Sequence, residues 1–131
     1  MFFAPSMANR VLIVDDDPTI VFMLEHTLLH KGYHVTVAED GEQAAFHIQN
    51  ASSFDLILLD VMLPGKSGWD VLQEIQSAWG RVPVMMMSTE GQQENILKAF
   101  SLGATDFVVK PFYTEEVAAR IRAVLQRTLI F

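Results

Sequence analysis

A doubly wound α/β domain, with one parallel sheet covered by helices on both faces, is the fold predicted by this sequence. Three observations lead there. Across the 131 residues, short apolar runs alternate with helical patterns in five β-α units. The apolar runs are continuous rather than alternating, which marks strands buried on both faces of a parallel sheet. The connections are short, and parallel strands joined by helices place those helices over the sheet. One domain of ordinary size accounts for the whole length.

Residues 10–14, Arg-Val-Leu-Ile-Val, make the first expected strand. Asp17-Pro18 opens the first helix, with Asp as N-cap and Pro at the first helical position, where its missing N–H costs nothing. Ile20, Val21, Met23, Leu24, Leu28 and Leu29 carry the apolar stripe of that helix, and Gly32 stops it. A second strand is expected over residues 33–38 and a second helix over 41–49. Residues 54–59 form the most apolar strand and run straight into Asp60. After Pro64-Gly65 a helix over 68–77 buries Val71, Leu72 and Ile75. Residues 83–87 give the fourth strand, 92–101 the fourth helix, stopped by Gly103, and 105–109 the fifth strand. The last helix, over 114–128, repeats apolar residues at Val117, Ile121, Val124 and Leu125.

Composition narrows the function. Half the residues are apolar and 19% are charged, as in a well-packed globular core. A net charge of −7, with nine scattered Lys and Arg, argues against direct nucleic-acid binding. The absence of cysteine excludes disulfides and thiolate metal sites. No apolar run approaches the ~20 residues of a membrane span, and the first residues lack the pattern of a signal peptide. A cytoplasmic protein with no membrane partner is expected. Residues 1–8 read as an N-terminal tail, with Met7 as an alternative start, and residues 9–128 as the domain. Too few residues follow the last helix for an output domain, so none is expected on this chain.

In doubly wound sheets, ligands bind outside the carboxyl ends of the strands. There the first strand ends in Asp15-Asp16-Asp17, the third in Asp60, the fourth in Ser88-Thr89 and the fifth in Lys110-Pro111. Taken singly, each has a structural explanation. Asp17 is a helix cap, Ser88 or Thr89 fits a cap, Lys110 fits the surface, and Asp60 fits a turn before Pro64-Gly65. Together they crowd carboxylates that raise one another's pKa, so a cation must compensate. Oxygen ligands without histidine suit Mg2+, with Mn2+ as a substitute, at Asp15, Asp16 and Asp60. Lys110 and the Ser88 hydroxyl suit phosphate oxygens. Such a set fits phosphoryl transfer to a protein nucleophile. Other conspicuous residues stay structural: Met85-Met86-Met87 as buried strand, Trp69 and Trp79 as packing, and His26, His30, His34 and His47 as surface residues away from the rim.

The runs VLIVDDDP (11–18), DLILLDVMLPGKSGWD (55–70), PVMMMSTEG (83–91) and GATDFVVKPF (103–112) closely resemble the receiver domains of two-component response regulators, over about residues 9–127. The resemblance implies a flavodoxin-like (βα)5 fold with strand order 2-1-3-4-5, an order this family shares with flavodoxin. It implies Asp60 as phosphoryl acceptor and Asp16 as a direct Mg2+ ligand, with Asp15 assisting and the Met62 backbone carbonyl completing the protein ligands. Ser88 becomes the switch hydroxyl beside Thr89, Lys110 the phosphoryl contact, Lys110-Pro111 a cis peptide and Phe107 a switch aromatic that turns inward. The implied phosphodonor is a sensor histidine kinase or a histidine phosphotransfer protein, and a downstream protein target reads the face of helix four, strand five and helix five. Such a chain is a signalling switch rather than an enzyme. Helix five resembles that of winged-helix regulators, whose active receivers dimerise through charged pairs. Asp106, Glu116 and Arg120 match that set while Ile96 and Ser101 do not, so a homodimer on phosphorylation stays open.

Three rival readings fit the residues less well. Asp15 to Thr19 fits the D-x-D-x-T signature of haloacid-dehalogenase-like phosphatases, with Asp15 as nucleophile, but that leaves Asp60 unexplained and lacks a late acidic pair. A phosphorylation-independent interaction module would not need the intact Asp15, Asp16, Asp60, Ser88 and Lys110. A flavodoxin-like cofactor carrier would want glycine and hydroxyls where this first loop is acidic.

Overall fold

The apolar runs form five strands, β1 Arg10–Val14, β2 His34–Ala38, β3 Leu56–Asp60, β4 Val84–Ser88 and β5 Asp106–Val109. Five helices separate and follow them: α1 Pro18–His30, α2 Gly41–Asn50, α3 Gly68–Ala78, α4 Gln93–Ser101 and α5 Thr114–Leu129. The structure, a computed structural model, describes residues 9–50 and 54–129, so the expected tail over 1–8 lies outside the described residues. The strands pair in parallel in the order β2-β1-β3-β4-β5, as the family resemblance implied.

Each strand serves two cores because successive side chains point to opposite faces. On β3, Ile57 and Leu59 enter a core closed by α2, α3 and α4, whereas Leu56 and Leu58 enter a second core closed by α1 and α5. On β1, Leu12 and Val14 divide from Val11 and Ile13 in the same way. No strand position faces water at the centre of the sheet, so the sequence there has no polar alternation. Burying one such leucine stabilises the fold by roughly 1.5–3 kcal/mol.

The element boundaries fall within two residues of expectation, and two of the shifts bear on the rim. Asp60 and Ser88 are the last residues of β3 and β4, one position inside the strands rather than beyond them. The parallel ladder reaches them because Asp60 pairs with Met87 and Ser88 with Val109. On α1, Leu24 and Leu28 are buried, but Met23 and Leu29 are 45% and 52% exposed. They lie outside the line that faces the sheet and belong to no buried stripe. Gly32 and Gly103, with φ of 93° and 99°, end α1 and α4 in the left-handed region that other residues enter at a cost.

The Asp17 carboxylate accepts from the Thr19 N–H at 2.9 Å and the Ile20 N–H at 3.4 Å, capping α1. Asp17→Ala should therefore cost about 1 kcal/mol of unfolding free energy. Urea denaturation checks this, and an unchanged midpoint would remove the cap from the account.

Candidate functional site

β1 and β3 are adjacent, and Val14 pairs with Leu59, so the chain delivers Asp15 and Asp60 side by side at the carboxyl rim. Asp15 is fully buried and Asp60 is 5% exposed, while Asp16 turns outward. Lys110, just past β5, reaches across β4 to both buried carboxylates. Its Nζ lies 2.8 Å from Asp15 Oδ2 and 3.1 Å from Asp60 Oδ2. The other oxygen of each carboxylate accepts a backbone N–H: Asp17 donates to Asp15 Oδ1 at 2.9 Å and Met62 to Asp60 Oδ1 at 3.1 Å. A cleft of about 450 Å³ opens over this group, lined by Asp15, Asp16, Asp60, Met62, Thr89 and Lys110.

Burial, followed by the Asp15 charge, raises the Asp60 pKa above the usual carboxylate value, against the opposing pull of Lys110 and the Met62 N–H. For Lys110, burial alone would lower the pKa, but the hydrogen bond to Asp15 and the charges of Asp60 and Asp15 outweigh it and the net shift is upward. The cation that the crowded carboxylates require is therefore supplied in part by the chain itself. Asp15, Asp16 and Asp60 also present oxygens within 4.8 Å of one another. An all-oxygen donor set with one solvent-facing member suits a hard divalent cation.

Close backbone approach holds the floor of the site. Gly68 opens α3 directly against the end of β3, and its N–H donates to Val61 O at 2.9 Å. A Cβ at Gly68 would lie 2.1 Å from Asp60 O, so only glycine lets α3 start there. Nothing in the spacing of the sequence singled Gly68 out; its one signal was a glycine just after the Ser67 cap of α3.

The remaining expected residues fall into three places. Ser88 is buried beneath the cleft, and its Oγ accepts the Glu90 N–H at 2.9 Å. Phe107 is buried in the core beneath α4. Asp106, Glu116 and Arg120 are not at the rim. They form a separate network in which Arg120 pairs with Asp106 and Glu116, both at 3.1 Å, within one chain. The Lys110-Pro111 peptide is cis. Met85, Met86 and Met87 are buried strand residues, and Trp69 and Trp79 pack against the α2-α3-α4 core. His26, His30 and His34 are exposed and His47 is half-buried, all on α1, α2 or β2.

A doubly wound sheet with an acidic, lysine-bridged cleft at its carboxyl end defines the class of phosphoryl-accepting signalling domains. Residues 11–122 match the response regulator receiver domain family, and the chain belongs to that family. The chain is 42% identical over 120 residues to the transcriptional regulatory protein CpxR of Klebsiella pneumoniae, covering 92% of this chain and 50% of that protein. It is 38% identical over 122 residues to the DNA-binding response regulator MtrA of Mycolicibacterium smegmatis, covering 93% and 53%. The chain thus spans about half the length of these curated relatives. Among solved structures, the chemotaxis response regulator CheY4 of Vibrio cholerae superposes with a TM-score of 0.84 at 34% identity, over 90% of this chain and 99% of that one. The phosphatase, constitutive-module and cofactor-carrier alternatives gain no support from these matches.

The raised Asp60 pKa has a sign that stability can report. A carboxyl whose folded pKa is raised contributes stability that is full below its unfolded pKa and is lost as pH rises through the folded value. Asp60→Asn, which does not titrate, should be more stable than wild type at neutral pH without divalent ions. That advantage should shrink as pH falls toward the ordinary carboxylate range. Thermal melts across pH check this; a variant less stable at neutral pH would contradict it.

Proposed function

We propose that Asp60 is the residue through which this receiver domain is switched, accepting a phosphoryl group from phosphohistidine on a sensor histidine kinase or a histidine phosphotransfer protein. The observation that carries this is the setting of Asp60: a buried carboxylate under an open acidic cleft, gripped by an ammonium on one oxygen and an N–H on the other. An Asp60 oxygen attacks phosphorus in line, the P–N bond breaks with its electrons on the imidazole nitrogen, and that nitrogen takes a proton from solvent. Lys110 exchanges its hold on Asp60 for a phosphoryl oxygen while keeping Asp15. Ser88, whose oxygen accepts the Glu90 N–H, has its own O–H left to donate to a second phosphoryl oxygen.

Asp15, Asp16 and Asp60, with the Met62 carbonyl, are the proposed Mg2+ ligands, and Mn2+ fits the same donors. When bound, the ion would neutralise charge on the transferring phosphoryl oxygens. The rival nucleophile, Asp15, is fully enclosed and tied to Lys110 and the Asp17 N–H, which makes it a support rather than an attacker.

The proposed domain spans residues 9–128 and acts as a switch, with slow hydrolysis of its own acyl phosphate as its only turnover. Output would pass through the face of α4, β5 and α5, where Leu97, Phe100, Val109 and Tyr113 are exposed apolar residues. The relatives' names speak of transcription and DNA; here such control would run through a downstream protein or another domain rather than direct nucleic-acid contact. Arg120 is paired with Asp106 and Glu116 inside one chain, so a phosphorylated homodimer through these charges would have to share or exchange that pairing. Among the described residues no helix is long and apolar enough to cross a membrane, and we place the protein in the cytoplasm, where histidine kinases present their phosphohistidine.

Incubation with acetyl phosphate and Mg2+, followed by peptide mapping, should find the acyl phosphate on Asp60, with labelling lost in Asp60→Asn. Label on Asp15 would overturn the assignment. Met62, 63% exposed at the mouth of the cleft, cannot orient an attacking water. Met62→Asn should shorten the acyl-phosphate lifetime severalfold, and an unchanged or longer lifetime would contradict this.

A further inference from the structure

We propose that Asn95 is a positioning residue for the Ser88 hydroxyl, acting through the loop between β4 and α4; this rests on the phospho-acceptor function above. Helix α4 begins with Gln92 at its cap position, and that side chain makes no capping hydrogen bond. The loop is instead held from inside the helix. The Asn95 amide nitrogen donates to Glu90 O at 3.2 Å and to Gln92 Oε1 at 3.1 Å. Gln92 Nε2 in turn donates to Glu90 Oε2 at 3.0 Å, closing a ring of contacts around Glu90. The N–H of the same Glu90 is the donor that holds Ser88 Oγ.

On its other side the loop packs on β5. Gly91 lies so close to β5 that a Cβ there would come within 2.8 Å of Val109 Cγ2. Glu90 is held by Asn95 on one side and precedes a glycine packed on β5 on the other, and its N–H holds Ser88. Ser88 is 1% exposed and is not among the residues lining the cleft over Asp60, and its bond from the Glu90 N–H is part-buried. To reach a phosphoryl group on Asp60, the Ser88 oxygen must either draw Glu90 with it or abandon its N–H. Asn95 opposes the first, and loss of the Glu90 hydrogen bond opposes the second. The clamp thus lowers the population of the competent arrangement, and apparent affinity for the activating group falls with that population.

Two substitutions remove the clamp differently. Asn95→Ala deletes the amide, and Asn95→Asp keeps its shape but has no proton to donate; Asp is also well tolerated in a first helical turn. Binding of beryllofluoride in the presence of Mg2+ is read by the 19F resonance of the bound adduct. Both variants should reach half-saturation at concentrations about three- to tenfold lower than wild type, the size of one net hydrogen bond. In a Ser88→Ala background the same substitutions should shift nothing, because the path to the site runs through that hydroxyl. A merely structural Asn95 would move melting temperature but not this coupling. If wild type binds and the Asn95 variants bind equally or more weakly, or shift equally without Ser88, the clamp is overturned and the phospho-acceptor stands. If wild type binds no better than Asp60→Asn, both fall together.

Discussion

Two carboxylates meet at the carboxyl ends of β1 and β3, and the Lys110 ammonium between them makes that meeting tolerable. Taking charges out of water is expensive, and the pairing repays it only when geometry and hydrogen bonds are good. Here each carboxylate gives one oxygen to Lys110 and the other to a backbone N–H. The strand order matters because Lys110 has to cross β4 to reach β3 and β1. Removing the lysine would leave two buried negative charges facing each other, whereas adding a cation or a phosphoryl group redistributes contacts already in place.

That arrangement explains how a stable fold carries a reactive site. The central strands are apolar on both faces and end abruptly in polar residues, so the rigid sheet sets the spacing of the rim at which phosphoryl transfer is proposed. Asp60 is held with its pKa raised by burial and by Asp15, in an electrostatic setting that a bound cation would relieve. Gly68 keeps α3 pressed against the Asp60 backbone, and Ser88 ends β4 one strand over, just before a loop tied into α4. A charge change at Asp60 therefore meets structure that connects directly to the exposed face of α4, β5 and α5.

Much of this was legible in the sequence because it follows from local rules. The Asp17 cap follows from Asp-Pro before an apolar stripe, and the two-faced burial of β3 from an unbroken run of Leu and Ile. The rim residues could be read because each polar group follows such a run directly. The parts that were not legible depend on tertiary distance. Lys110 lies 95 residues from Asp15, and no spacing says that its ammonium bridges two carboxylates. Met23 and Leu29 fit a helical stripe on paper, but only the angle at which α1 meets the sheet leaves them outside. Gly68 and Asn95 matter through contacts with the Asp60 backbone and the Glu90 loop, which no local pattern encodes. The charges at Asp106, Glu116 and Arg120 matched an expected set, yet they satisfy one another within a single chain.

The most direct test of the central claim is a structure of the Mg2+ and beryllofluoride adduct. The adduct should form on Asp60, with Lys110 Nζ moved off the Asp60 carboxylate onto a fluorine while still paired with Asp15. An adduct on Asp15, or Lys110 still bridging both carboxylates with the adduct in place, would contradict it.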